Sequence, residues 1–474
     1  MSIKGKQLFR GFLFSLPLII GTIGLKISGE SLLNSMFDTV TMYALNYGTE
    51  PVNQLVEIAR WTAPLATATG IILMIQPVLR ALHAKLLSLR KESIAVYGDP
   101  ALFHRLQAKY PVIQGDQELL SAHTYLLFGE EQENLDFYQE HLAALCNHEV
   151  YLRCASLPSQ MIQNPRLHLY NPEETAARLY WKQRNLISLF QSHHFTLNIV
   201  IIGFGRIGEE LLFWGLQNNI FSPDQSIAYH VFGEENGYRL LHPGLNKISD
   251  AIQFYSPAWW EQLSLLQQAD RIIICQQENQ IQTVQKLLSA LPGKDLDIWA
   301  SHVKTFTLCE EQKRLKLFDW KEEALRPEYI FDATTLCRAK AISLRYAQLY
   351  SQNSTSTLDI ETEWMKLSSF ARYSNISSAD YHEIRLRMMQ SAGLSTDGSN
   401  LTNDQLEQLS ELEHIRWCRF HFLNNWKYGK PLKGATKDSL LRIHQDLLPY
   451  AELSDAEKEK DREAIRVLLS VREY

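Results

Sequence analysis

The sequence predicts a multidomain membrane protein: an α-helical two-span unit, two α/β units in series and a mainly α C-terminal domain. Three observations carry that reading. Two apolar runs without a charge, Gly11–Leu25 and Trp61–Leu79, lie near the N-terminus. Between residues 93 and 302, short apolar runs alternate with helical stretches, the pattern of a parallel sheet. Beyond residue 361 the apolar spacing is mostly helical.

Composition sets the limits. A chain of 474 residues has room for roughly three domains. The net charge is −6 and no basic stripe stands out, which argues against a nucleic-acid partner. Six cysteines (Cys146, Cys154, Cys275, Cys309, Cys337, Cys418) show no C-x-x-C pair and no metal spacing. They read as reduced thiols of a cytosolic portion, with no metal site expected.

Residues 1–90 form the membrane unit, with spans at about 11–27 and 61–79, near the length of about 20 residues that crosses a bilayer core. A signal peptide is disfavoured, because a second span follows and no small-x-small cleavage site does. Lys4, Lys6 and Arg10 precede the first span, and Arg80, Lys85, Arg90 and Lys91 follow the second. The segment between them has Lys26 and Arg60 against Glu30, Asp38, Glu50 and Glu57. The positive-inside rule then places both termini and all downstream domains in the cytoplasm, as a multi-pass protein of the cell inner membrane. Pro64, Gly70 and Pro77 would permit kinks in the second span.

Segment 31–49 is too apolar for an ordinary exposed loop, yet carries Asn34, Asp38, Thr39, Thr41, Asn46 and Gly48. Irregular backbone at membrane depth is tolerated where it lines water or is buried in protein, so a re-entrant pore loop is expected. The plain alternative is a two-helix anchor. T-V-T-M-Y-A-L-N-Y-G (39–48) resembles the pore helix and filter of a potassium-channel-type pore domain. That resemblance implies a cation channel with Thr39, Thr41, Asn46, Tyr47 and Gly48 at the pore. It also implies a homo-oligomer of four chains in a lipid bilayer. A potassium filter uses a run such as T-V-G-Y-G. Here Asn46-Tyr47-Gly48 stands in its place without the first filter glycine, so a less selective pore or another ion stays open.

The first α/β unit, 91–190, reads as strands at 93–98, 112–115, 124–129, 149–154 and 167–171, with helices around 100–109 and 133–146. Its first turn, Y-G-D-P-A-L-F-H, has one glycine, Gly98. This unit is expected to keep a Rossmann-like fold without a phosphate cradle. The second unit, 195–345, opens on L-N-I-V-I-I-G-F-G-R-I-G-E-E-L-L-F-W-G-L (197–216). An apolar strand leads into Gly203-x-Gly205-Arg206-x-Gly208 and then an amphipathic helix. The glycines permit a tight turn, close approach of backbone to a pyrophosphate, and close helix–strand packing. The helix start offers free amides. NAD or another adenine nucleotide is the expected regulatory ligand, with Gly203, Gly205, Arg206 and Gly208 at the phosphates. Glu234 or Glu235, at the end of the next strand in the segment 226–237, would meet a ribose. Further strands are expected within 271–280 and 297–302. The alternative is glycines kept for packing, with nothing bound. No acid–base pair accompanies the motif, and His230 and His302 read as ordinary polar residues, so no enzyme and no catalytic residue is expected. Across 92–345 the arrangement resembles a tandem pair of RCK domains, a family that regulates potassium channels and transporters and uses this cleft for nucleotides or related ligands.

A Ser/Thr-rich stretch, 346–361, reads as a linker to the last domain, 361–470. Four motifs mark its later helices: Glu413-His414-x-x-Trp417, Trp426-x-Tyr428-Gly429, Leu448-Pro449-Tyr450 and Lys458-x-Lys460-Asp461-Arg462. Arg372-x-Ser374-Asn375 precedes them. Rings beside arginines and a carboxylate can stack a base and hold a phosphate by charge-assisted bonds. The alternative is core tryptophans under a solvated charged face. The motifs resemble the prokaryotic form of the ryanodine-receptor repeat, or RyR, domain. That resemblance implies a ligand pocket at Arg372, Asn375, Glu413, Arg416, Trp417, Trp426 and Tyr428, reading a nucleotide-derived signal in a conflict or phage-defence setting. The whole sequence then reads as a ligand-gated cation channel. Its rivals are a membrane-anchored nucleotide sensor or scaffold without a pore, and an enzyme acting on a dinucleotide.

Overall fold

The computed structural model describes residues 3–48, 50–158, 161–193, 195–300, 303–306, 312–350, 358–432 and 435–470; His302 and Cys309 lie outside them. The chain folds as two units, Met1–Ser93 with Leu120–Ala122, and Ile94–Leu119 with His123–Tyr474.

The first unit has three helices: α1 (Ile3–Ile27), α2 (Leu32–Tyr43) and α3 (Gln54–Ser88). Ser31 caps α2 by accepting from Asn34 N at 3.2 Å. Residues 44–48 and 50–53 are non-helical, and Asn53 caps α3 and donates to Gly24 O at 2.7 Å. Leu45, in that returning segment, has φ 59°, a left-handed conformation uncommon for a branched side chain. A Cβ on Gly21 would lie 2.5 Å from Thr39 Cγ2 and 2.9 Å from Ala59 Cβ, so α1 packs closely on both other helices there. The outer surface of this unit is apolar: Leu33, Phe37, Trp61, Leu65 and Met74 are 65–80% exposed. Among the described residues one helix, Gln54–Gln76, is long and apolar enough to cross a membrane by length and composition, and a shorter apolar stretch covers Phe14–Ile27. Helix α3 continues through Pro64, Gly70 and Pro77 without interruption.

The second unit begins with β1 (Ile94–Tyr97), α4 (Pro100–Gln107), β2 (Val112–Gln114), β3 (Thr124–Leu127), α5 (Glu131–Glu140), α6 (Leu142–Leu145), β4 (Glu149–Arg153) and β5 (Leu167–Tyr170). These strands form an all-parallel sheet in the order β2-β1-β3-β4-β5. Helices α7 (Pro172–Gln183) and α8 (Ile187–Ser192) lead to a second sheet. Its elements are β6 (Thr196–Ile202), α9 (Arg206–Asn218), β7 (Ser226–Phe232), α10 (Tyr238–Leu241), β8 (Ala251–Tyr255), α11 (Leu263–Gln268) and β9 (Arg271–Ile274). There follow α12 (Gln280–Ala290), β10 (Leu296–Ala300), α13 (Val303–Phe306) and β11 (Leu315–Asp319). The order is β11-β10-β9-β6-β7-β8, again all parallel. Both orders are those of doubly wound folds, whose crevice lies where the strand order reverses. Strand β6 is buried on both faces. Leu197, Ile199 and Ile201 join one core, while Val200 and Ile202 join the other, which is why its sequence reads as a continuous apolar run.

The chain then returns to the first sheet. Ile330 of α15 (Pro327–Ile330), after α14 (Trp320–Ala324), packs with Ile94, Val96 and Leu126, and Tyr170 Oη donates to Ala324 O. Helix α16 (Ala333–Tyr350) covers the start of the segment read as a linker. It does so because Ala339 and Ile342 belong to the C-terminal core with Trp364, Ala379, Met389 and Ile465. That core is built by α17 (Ile360–Lys366), α18 (Ser369–Ser391), α19 (Asn403–Leu423) and α20 (Asp455–Ser470). A small sheet, β12 (Lys427–Tyr428), β14 (Ile443–His444) and β13 (Lys437–Asp438), completes the domain.

Buried ion pairs dock these helices on the second sheet. Asp380 of α18 is fully buried and accepts from Arg178 Nη2 at 2.9 Å, with Lys182 Nζ at 2.5 Å. Arg419 of α19 grips Asp250 with Nη1 at 2.6 Å and Nη2 at 2.9 Å. Such a two-pronged contact is the strong form of the pair.

Candidate functional site

Helices α18 and α19 and the small sheet enclose two adjoining cavities, of about 260 Å³ and 390 Å³, that share Ser374, Asn375, Trp417 and His444. Helix α19 is set by a capping box in which Thr402 and Gln405 satisfy each other's backbone amides. It presents Glu413, His414, Arg416 and Trp417 to the smaller cavity, and Trp417 and His421 to the larger.

The smaller cavity is a charged chamber. Glu413 accepts from Arg416 Nη2 at 2.8 Å, from Ser378 Oγ at 3.2 Å and from Arg385 Nη2. Burial pushes the Glu413 carboxyl up, but the Arg416 and Arg385 guanidiniums outweigh it and hold it below the usual range. Arg416 also donates to Glu413 through Nε at 3.1 Å and to Ser377 Oγ through Nη1 at 3.2 Å. It shares the one Glu413 carboxylate with Arg385. His414 donates from Nε2 to Leu448 O at 2.9 Å and faces Asp461 Oδ2 from Nδ1 at 3.1 Å. A ring with a carbonyl at one nitrogen and a carboxylate at the other is an imidazolium. Burial opposes that charge, but the Asp461 and Cys418 contacts reverse it and lift His414 to about 11. Cys418 Sγ lies 3.4 Å from His414 Nε2. The thiol is buried and lines neither cavity, so the trio carries no nucleophile to a bound molecule.

The larger cavity is aromatic. Phe370 stacks on Trp426 at 5.1 Å and 25°, leaving Phe370 and Trp417 as half-buried rings in its wall. Burial lowers His421 to about 3, although Nδ1 donates to Trp417 O at 2.8 Å. Burial, then Lys437 and Lys460, lower His444 to about 4; its Nδ1 accepts from Asp446 N at 3.1 Å. Both rings are neutral at pH 7. Those bonds leave His421 Nε2 as an acceptor and His444 Nε2–H as a donor. Among the described residues the Ser374 hydroxyl and Asn375 amide have no hydrogen-bond partner. Lys437 has no ion-pair partner among them either, and Arg442 donates to Asn424 O at 3.3 Å. The wall thus offers rings, an edge of mixed donors and acceptors, and two cations.

Residues 396–472 match the RyR domain family. No curated protein matches the chain, and no solved structure does. Glu413, Arg416, Trp417, Trp426 and Tyr428 fall inside the RyR match. Helix α18, which supplies Phe370, Ser374 and Asn375, precedes it. Of the expected pocket residues, the structure brings together Asn375, Glu413, Arg416, Trp417 and Trp426. Arg372 points away, donating to Leu367 O at 2.8 Å and Gln163 O at 3.1 Å. Tyr428 is 46% exposed and lines neither cavity. Sequence reading missed Phe370, His421, His444, Lys437 and Arg442. Phe370 sits two residues before the singled-out Arg372, and the spacing of Trp417 and His421 on one helix face was the available signal for the histidine.

The glycine motif follows β6, at the point where the strand order reverses. Gly203 has φ 100°, and a Cβ there would lie 2.5 Å from Gln276 N. Gly208 would meet Gly203 O at 2.5 Å, whereas Gly205 faces open space with nothing within 4 Å. The α9 start has no side-chain cap. Arg206 is exposed, with Nη1 4.0 Å from Glu131 Oε2 of the first sheet's α5. Glu234 is exposed, and Glu235 pairs with Arg239 at 3.5 Å.

In the N-terminal unit, Thr39 is buried and donates to Ser35 O at 2.7 Å, and Thr41 donates to Asp38 O at 2.7 Å. Asn46 and Gly48 are exposed in the returning segment, with Tyr47 half-buried against the cluster of Leu25, Met42 and Val56. Among the described residues no group of three or more His, Cys, Asp or Glu side chains is placed to hold a metal ion.

Proposed function

We propose that the chain is one subunit of a homo-oligomeric, ligand-gated cation channel, with a nucleotide-derived molecule as the signal read by its RyR domain. The observation that carries the ligand class is the larger cavity. Half-buried Phe370 and Trp417, a donor–acceptor edge at His421, His444 and Asn375, and the cations Lys437 and Arg442 suit a base and a phosphate on one molecule. The apolar outer surface of α1–α3 favours a bilayer or a subunit interface over water. A short helix followed by a returning irregular segment, between two longer helices, suits a pore loop. Four chains around one pore, at the inner membrane with the α/β and RyR domains in the cytoplasm, complete the proposal. The 39–48 segment resembles a potassium filter but lacks its first glycine, so the pore is proposed for cations, with potassium as one candidate and a less selective pore as another. The α/β pair would act as RCK-type transmitters, with NAD or another adenine nucleotide seated at Gly205. Phage defence is a setting that fits a signal-gated pore.

The second reading is a membrane-anchored sensor without a pore. It is favoured by the first apolar run, whose uncharged stretch Gly11–Leu25 is shorter than the about 20 residues that cross a bilayer core.

Ion flux from liposomes with a panel of nucleotides separates the two. A gated pore gives nucleotide-dependent flux that Trp417→Ala reduces by roughly tenfold or more, since a stacked base contributes about 1–3 kcal/mol. Sealed liposomes together with tight nucleotide binding would establish the anchored sensor instead.

A further inference from the structure

A third cavity, of about 350 Å³, opens where the two α/β sheets and the C-terminal helices meet. Its wall carries Glu174 from α7, Glu209 and Glu210 from α9, Tyr238, His242, and Tyr373 from α18. Glu210 Oε1 accepts from Asn171 Nδ2 at 2.8 Å. The Glu174 carboxyl has no hydrogen-bond partner among the described residues. Tyr238 is 2% exposed, and its buried hydroxyl has no partner at all within the described protein. That is an unusual state for a buried polar atom. Burial, then the carboxyls of Glu210 and Glu209, raise the Tyr238 pKa well above its ordinary value. His242 donates from Nδ1 to Leu423 O at 2.8 Å, so its Nε2 accepts. Arg442, also in the wall, donates from Nη1 to Asn424 O at 3.3 Å and keeps its positive charge.

The cavity is therefore rich in acceptors and walled by the rings of Phe213, Tyr238 and Tyr373. Rings beside carboxylates suit an organic cation. A metal ion fits less well, because no metal-holding group occurs among the described residues. We propose that this junction cavity binds a small organic cation, an alkylammonium or guanidinium compound, between Glu174 and Glu210.

Protonation supports the geometry. Burial raises Glu174 to about 7, with Asp380 and Asp332 adding to it against Arg178. Burial, then Glu174, Glu173 and Glu209, raise Glu210 well above its ordinary value against the Asn171 bond. His242 is kept neutral by burial. Glu174 is thus partly protonated at pH 7, and a cation would displace that proton. Binding releases protons and tightens as pH rises.

Calorimetry of the full-length protein in nanodiscs, with agmatine and putrescine as probes and calcium chloride for comparison, tests this. Either amine should bind, with a heat that depends on buffer ionisation, and tighter at pH 8 than at pH 6. Glu210→Gln and Tyr238→Phe should each weaken it roughly tenfold, the scale of one charge-assisted bond. Gln has the shape of a protonated Glu, so the fold should survive. If it does not, proton release by the unaltered protein decides alone. Absence of amine binding, binding that neither substitution changes, or a preference for calcium would overturn the proposal.

Discussion

The two α/β units solve the same turn and then part ways. At the exit of β1, Gly98 has φ 86° and a Cβ there would lie 2.2 Å from Gly129 N, beside the exit of β3. At the exit of β6, Gly203 stands in the same relation to Gln276, beside the exit of β9. In both, two neighbouring strand ends touch at the point where the order reverses. The next residues differ. Asp99 caps α4, its Oδ1 accepting from Ala101 N at 2.8 Å and Leu102 N at 3.1 Å. Gly205 opens α9 with no cap and open space before it. The first unit fills its helix start with its own carboxylate, while the second leaves its first amides without a side-chain partner. The two turns thus keep the same packing glycine but differ at the helix start, where the cap is Asp99, one residue after Gly98, in the first and Gly205, two residues after Gly203, in the second.

The largest effects should be shared by the two units. Gly98→Ala and Gly203→Ala both place a Cβ against backbone at positive φ, and each should cost about 3 kcal/mol or more, read as a fall in thermal midpoint. Gly205→Ala should change the midpoint little. If Gly203→Ala were equally silent, the shared switch-point geometry would be wrong. The next effect should split the units. Gly205→Asp copies Asp99, so it should preserve stability yet abolish adenine-nucleotide binding at the second cleft. Unchanged binding of fluorescent ATP or NAD would show that this cleft is not the seat. Asp99→Ala should cost only about 1 kcal/mol, the usual worth of a cap.

The RyR domain sharpens the contrast with a pH dependence. His414 rises to about 11 in the fold, from 6.5. Its contribution to stability is therefore complete below about 6.5 and is lost as pH climbs toward 11. Asp461→Asn should flatten that alkaline loss. A denaturation midpoint with the same alkaline slope in both proteins would remove His414 from the account.

Where the sequence was legible, burial made it so. The continuous run I-V-I-I before Gly203 marks a strand buried on both faces, and the structure places it at the centre of the second sheet. Strands β8 (A-I-Q-F-Y) and β11 (L-K-L-F-D) escaped notice. They are the two edges of that sheet, where polar residues interrupt the apolar signal. At the candidate site, helical spacing brought Glu413, Arg416 and Trp417 onto one turn. It could not show that Arg385, from another helix, would share Glu413 with Arg416. Nor could it show that Arg372 would turn to carbonyls around residue 163. Partners separated by long stretches of chain leave no local pattern.

The pair of Arg419 with Asp250 has a practical consequence for modularity. Asp250 lies outside the stretch matched to the RyR family, and so do Arg385 and Ser377, which complete the shell around Glu413 and Arg416. An excised 396–472 peptide would strand charges that are buried in the parent chain, at several kcal/mol for each orphaned partner. The recognisable sequence and the autonomous folding unit are different lengths of polypeptide here, and the cut that respects both starts well upstream of the recognisable one.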